Sequence, residues 1–120
     1  NGETDGAAVE SAARRILSQG AMDLVAVHFT TGAVLVARDG AVIRAPSVAV
    51  PADAIKGANG AGDAFAAGFF YGRHKGCDNL ACLRMGHATS AACLRAPGTY
   101  DAVESAAECL ELAERWGWRS

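Results

Sequence analysis

Over residues 9–17 apolar side chains return at spacings of three and four (Val9, Ala12, Ala13, Ile16, Leu17), while Arg14, Arg15 and Gln19 take the other side. This pattern predicts an amphipathic helix that stops near Gly20. Leu24-Val25-Ala26-Val27-His28-Phe29 is a continuous apolar run between polar turns, the pattern of a strand covered on both faces. Residues 33–37 and 41–45 are β-rich runs joined by Arg38-Asp39-Gly40. The Asp-Gly pair favours the positive φ angles of a tight hairpin, so these two strands should pair antiparallel. Pro46 and Pro51 bracket Val48-Ala49-Val50, leaving room for a short edge or crossing segment.

A loop ending in Gly57-Ala58-Asn59-Gly60-Ala61-Gly62-Asp63 follows, and three helices are predicted beyond it, over 62–75, 79–94 and 102–116. Asp78 is placed to cap the second of these, and Asp101 with Glu104 reads as a capping box for the third. Pro97 and Gly98, within 95–100, separate the last two helices. A helix leading into a buried strand, a hairpin and further helices indicates an α/β layered fold, and no repeat or internal boundary divides residues 1–120.

With 51% hydrophobic and 20% charged residues among 120, the chain has the composition of one globular unit. Its formal net charge of −2 offers no basic field to a nucleic acid or an anionic membrane, so any bound phosphate must be held locally. The sequence contains no apolar run of the roughly 18 residues that a membrane helix needs and no secretory pattern at Asn1, which leads to the expectation of a cytoplasmic protein. The opening Asn1-Gly2-Glu3 lacks an initiator Met, and the expectation is a piece of something longer. Cys77, Cys82, Cys93 and Cys109 form no C-x-x-C pair and read as reduced, mostly buried thiols rather than metal ligands.

The stretch from Asn59 to Phe70 carries the most chemistry: a glycine-rich turn opens directly into an apolar helix. Small residues let backbone N–H groups converge, and the helix N-terminus adds partial positive charge, which together make an anion hole. Gly57 and Gly62 have Walker A spacing, but Asp63 and Ala64 stand where lysine and a hydroxyl residue are required. Gly60-x-Gly62 begins like a dinucleotide fingerprint, but Phe65 occupies the third glycine position. Beside the anion hole, Asp63 is a carboxylate able to accept a proton from a hydroxyl that attacks a phosphoryl group. The alternative is that Asp63 only favours the start of a buried helix, with glycines present for packing.

The string Gly60-Ala61-Gly62-Asp63-Ala64-Phe65-Ala66-Ala67-Gly68 resembles the second signature of the ribokinase/PfkB carbohydrate kinases. The resemblance covers essentially the whole chain and less than half of a complete kinase. It implies a ribokinase-like layered α/β/α sandwich, here the C-terminal part only, with Asp63 as the general base and Gly60, Ala61 and Gly62 as the anion hole. It implies ATP and Mg2+, and a small-molecule acceptor: ribose, fructose, another sugar or a nucleoside. Asn59, Gly32, Pro97 and Gly98 fall where the family touches nucleotide. His87, in Gly86-His87-Ala88, stands where the family lines its adenine pocket, although a histidine with an ordinary polar partner would look the same.

Two departures from the family pattern change expectations. Gly57-Ala58 replaces an Asp-Thr pair linked to monovalent-cation activation, so potassium dependence should be weak. Phe29 replaces the first glycine of a strand-end that contacts ATP phosphates, while Gly32 fits the second. Both departures suit a rival reading, a kinase relative that binds nucleotide or anion without turnover. His28 is expected to be structural and His74 solvated, Phe65, Phe69 and Phe70 to be core residues, and Gly68 and Gly72 to permit close helix approach. No signature of oligomeric state is present.

Overall fold

The computed structural model describes residues 5–57, 60–95 and 106–119. Helix α1 (Gly6–Gln19) leads into an antiparallel meander of β1 (Leu24–Phe29), β2 (Gly32–Ala37) and β3 (Val42–Pro46). Helices α2 (Ala61–His74), α3 (Asn79–Cys93) and α4 (Ala106–Trp116) follow. Helix α1 begins earlier than its apolar pattern because the Asp5 carboxylate accepts from the Ala7 and Ala8 N–H groups, at 3.0 and 3.4 Å. At its other end the Arg38 guanidinium donates to the carbonyls of Leu17 (2.9 Å), Gly20 (2.8 Å) and Met22 (2.8 Å). The first of these is an acceptor that the helix C-terminus leaves open, and the other two lie in the connection that follows.

The strand pleat sorts side chains into two cores. Val34 and Val36 of β2, with Val25, Val27 and Phe29 of β1 and Val42 of β3, pack on Ala13 and Leu17 of α1. Ala33 and Leu35, with Leu24, Ala26, Ile43 and Ala45, pack on Phe65 and Phe69 of α2 and on Cys82 and Leu83 of α3. Helices therefore lie on both faces of the sheet, giving the three layers that the resemblance implied. β2, the central strand, is buried from Gly32 to Val36. β1 is covered on both faces as its apolar run predicts, but it lies at the sheet edge and is only half-buried throughout.

The β2–β3 hairpin forms as predicted, with Gly40 at φ +100° and the Asp39 carboxylate accepting from Ala41 N–H at 2.9 Å. The β1–β2 hairpin, by contrast, turns on Thr30-Thr31, neither of which has positive φ. Val48 forms a single bridge to Trp118 rather than a strand. Asp78 caps α3 as expected, accepting from Ala81 N–H at 2.8 Å. Helix α4 buries Cys109, Leu112 and Ala113 against Ala88, Ala91 and Ala92 of α3. Asp101 and Glu104 lie outside the described residues.

Glycines set the contact between α2 and α3. A Cβ on Gly68 would come within 2.6 Å of the Met85 carbonyl oxygen, and one on Gly72 within 3.2 Å of Cys82 Cα. On the opposite helix, a Cβ on Gly86 would meet the Phe65 ring at 2.8 Å. Of the three phenylalanines expected in the core, Phe65 and Phe69 are buried, whereas Phe70 is 67% exposed. It lies on an outward stripe of α2 with Asp63, Ala67, Tyr71 and His74. Cys82, Cys93 and Cys109 are buried and Cys77 is exposed; burial pushes the Cys82 and Cys93 thiols up, which suits inert packing. No described helix is long and apolar enough to cross a membrane.

Candidate active site

Gly60 adopts the left-handed conformation (φ 80°, ψ 5°) that glycine enters at least cost, and it turns the chain straight into α2. No side chain of Gly60 can cap the helix. Ala64 N–H donates to Gly60 C=O at 2.8 Å and closes the first turn. The N–H groups of Ala61, Gly62 and Asp63, the three residues before Ala64, have no intrahelical acceptor and carry the positive end of the helix dipole. Asp63, the third helical residue, is exposed beside them.

This turn is held from below and from the side. Phe65 stacks on His28 at the end of β1, with ring centroids 4.4 Å apart, and meets His87 of α3 edge-on at 5.1 Å. Gly62 lies over the same histidine, its Cα so placed that a Cβ would stand 3.6 Å from His28 Cε1. The Thr89 hydroxyl, 8% exposed, is 2.6 Å from the Ala64 carbonyl, 3.0 Å from that of Gly86 and 3.1 Å from that of Met85. With one proton to give, its shortest bond goes to Ala64, tying α3 to the peptide that follows Asp63.

His87 is 2% exposed, and its Nε2 lies 3.1 Å from the Ala45 carbonyl of β3. A carbonyl only accepts, so the neutral ring carries its proton on Nε2. Burial lowers the His87 pKa from 6.5 to about 4, partly opposed by the bond to Ala45. Its bond to Ala45 is the ordinary polar partner that the structural reading of this histidine requires. As pH falls below 6.5 the unfolded chain takes the proton first, so stability is complete above 6.5 and declines toward pH 4. In thermal melts across this range, His87→Gln should flatten that part of the curve relative to the parent; equal slopes would place the linkage elsewhere.

Beside this turn lies a cavity of about 450 Å3. Val48, Val50, Ile55 and Leu94 form an apolar wall; Thr30, Ser47, Ser90 and Arg119 supply polar groups; Ala61, His28 and His87 also line it. Of the residues singled out in the sequence, His28, Phe29, Ala61 and His87 share this cavity, and Gly60, Gly62 and Asp63 belong to the turn beside it. Gly32 does not line it. That residue is buried where β2 passes β3, a Cβ there would stand 2.9 Å from Ala45 O, and it lines a separate cleft with Phe29, Thr31 and Arg44. Asn59, Pro97 and Gly98 lie outside the described residues. Sequence reasoning passed over Thr30, Ser47, Ser90, Thr89 and Arg119. Only Thr89 had a signal, a hydroxyl on the apolar side of a small-residue helix.

The family model for pfkB family carbohydrate kinases matches residues 2–106. No curated protein matches the chain. Among solved structures, the Burkholderia thailandensis nucleoside kinase in complex with inosine is 25% identical, with a TM-score of 0.69. That match covers 92% of this chain and 34% of the kinase. Arabidopsis thaliana ribokinase complexed with ribose and ATP is 22% identical with a TM-score of 0.79, over 92% of this chain and 35% of that one. Escherichia coli phosphofructokinase-2 in complex with potassium is 21% identical with a TM-score of 0.73, over 94% and 35%. The chain spans about a third of the length of these structures. The fold is accordingly a part of the ribokinase-like architecture.

Proposed function

The chain belongs to the pfkB family of carbohydrate kinases, and on that premise we propose that it transfers the γ-phosphoryl group of ATP to a hydroxyl of a sugar or nucleoside. The observation that carries this reading is the uncapped first turn of α2, which presents three N–H groups beside the exposed carboxylate of Asp63, next to the 450 Å3 cavity. In this reading Asp63 takes the proton of the acceptor hydroxyl as its oxygen attacks the γ-phosphorus. The N–H groups of Ala61, Gly62 and Asp63 receive the charge carried by the transferring group, and being fixed by the helix they need no reorganisation. The apolar wall of Val48, Val50, Ile55 and Leu94 suits the face of a nucleobase.

Among the described residues no group of three or more His, Cys, Asp or Glu converges. Magnesium would be carried on the nucleotide's phosphates, whose charge it would offset. The inosine and ribose of the two relatives' complexes make both acceptor classes reasonable here.

The experiment is an assay of the intact protein with labelled ATP against a panel of pentoses, hexoses and nucleosides, run in parallel in potassium and in sodium at equal ionic strength. Label transfer to one acceptor class is expected, at similar rates in the two salts because Gly57 offers no side-chain oxygen. ATP binding without transfer to any acceptor would select the non-catalytic, nucleotide-binding reading instead.

A further inference from the structure

After α4 the chain turns at Gly117 (φ 85°) and runs back to the segment that follows β3. Ala49 N–H donates to Gly117 C=O at 2.7 Å and Arg119 N–H to Ser47 C=O at 2.8 Å, on either side of the Val48–Trp118 bridge. Trp118 is held in turn by its Nε1–H to the Glu114 carboxylate (3.4 Å) and by the Arg84 guanidinium, 5.6 Å from a ring centroid. The bridge puts Arg119 on the wall of the cavity that Ala61 also lines. Thr30 and Ser47 are on that wall too, joined by Ser47 Oγ–H donating to Thr30 C=O at 2.8 Å.

Among the described residues lining this cavity, Arg119 is the one that carries a guanidinium. The two histidines there are shifted toward the neutral form, His28 by burial and His87 by burial above all. Among the described residues that line the cavity there is no carboxylate to oppose the guanidinium. At the Ala61 side the α2 N-terminus supplies a positive field equivalent to roughly half a charge. A polyphosphate with several negative charges needs more than that. A planar guanidinium matches phosphate oxygens two at a time, whereas a nucleobase is better served by the apolar wall.

We propose that Arg119 is a phosphate-binding residue of the nucleotide site, its guanidinium engaging the ATP polyphosphate while the helix N-terminus receives the γ-phosphoryl group. The proposal rests on reading this cavity as the ATP site. It makes the Val48–Trp118 bridge part of the binding machinery: the bridge fixes the backbone from which the guanidinium reaches, so the tail is a positioning element for nucleotide.

The test is calorimetric titration of the intact protein, as parent, Arg119→Ala and Arg119→Lys, with ATP and separately with adenosine. Because the side chain is exposed and its anchoring bonds are backbone bonds, thermal midpoints should be unchanged. Arg119→Ala should weaken ATP roughly tenfold, the size of one charge-assisted contact, and leave adenosine alone. Arg119→Lys should fall between parent and alanine. Unchanged ATP affinity in Arg119→Ala, or equal weakening of ATP and adenosine, would overturn the assignment while leaving the kinase reading standing. A parent protein that binds neither ligand would remove the ATP site itself, and the assignment with it.

Discussion

Asp63→Asn in the intact protein lowers kcat by roughly 10²–10⁴-fold, the contribution of a positioned general base. The two side chains are nearly isosteric, and an exposed residue in a first helical turn contributes about a kcal/mol or less through its charge. Folding and ATP affinity should therefore survive. The measurement is kcat, ATP affinity and thermal midpoint on parent and mutant together, with the acceptor found by screening. The amide cannot take the hydroxyl proton, so turnover falls alone. A mutant that turns over at the parental rate would mean that Asp63 only favours the helix start, and the proposed chemistry would lose its base.

Gly68→Val destabilises the protein by about 3 kcal/mol or more, because side-chain atoms would enter the space held by Thr89 and the Met85 carbonyl. Helix propensity points the other way, since replacing a mid-helix glycine gains up to about 1 kcal/mol. The 2.6 Å approach of a Cβ to a backbone oxygen decides the sign: backbone of α3 cannot rotate aside, so the helices must part. Gly72→Ala should cost less than Gly68→Ala, its nearest new contacts being Cys82 Sγ at 3.1 Å and Cys82 Cα at 3.2 Å. Denaturant melts of the three variants give the ranking. A Gly68→Ala protein as stable as the parent would show that α2 and α3 can separate without penalty.

These contacts also show what could be read from the chain and what could not. The 3.6-residue periodicity located α1, the Asp39-Gly40 pair located the β2–β3 turn, and Asp78 located the start of α3, because each is a local choice with a local cause. The Thr30-Thr31 turn carries no such chemistry. It is held by Ser47, whose N–H donates to Thr31 C=O at 3.1 Å, so its cause lies sixteen residues away in sequence. Helix α3 is buried on nearly every side, from Met85 through Thr89 and on to Cys93, so no polar face announced the side on which His87 would lie. The turn that opens α2 was legible because its glycines and Asp63 are contiguous. The polar side of the cavity was not, since Thr30, Ser47 and Arg119 meet only after the sheet and the last helix have folded.

Arg38 imposes a limit on how this chain can vary. The connection from Gly20 to Asp23 is short and mostly exposed, the kind of surface loop in which insertions are ordinarily tolerated. Yet one guanidinium spans it, taking carbonyls from the end of α1 and from within the connection, while Arg38 N–H donates to Asp23 C=O at 2.8 Å. A single added residue would carry part of that set out of reach and uncap the helix. Length variation should therefore be excluded from this loop.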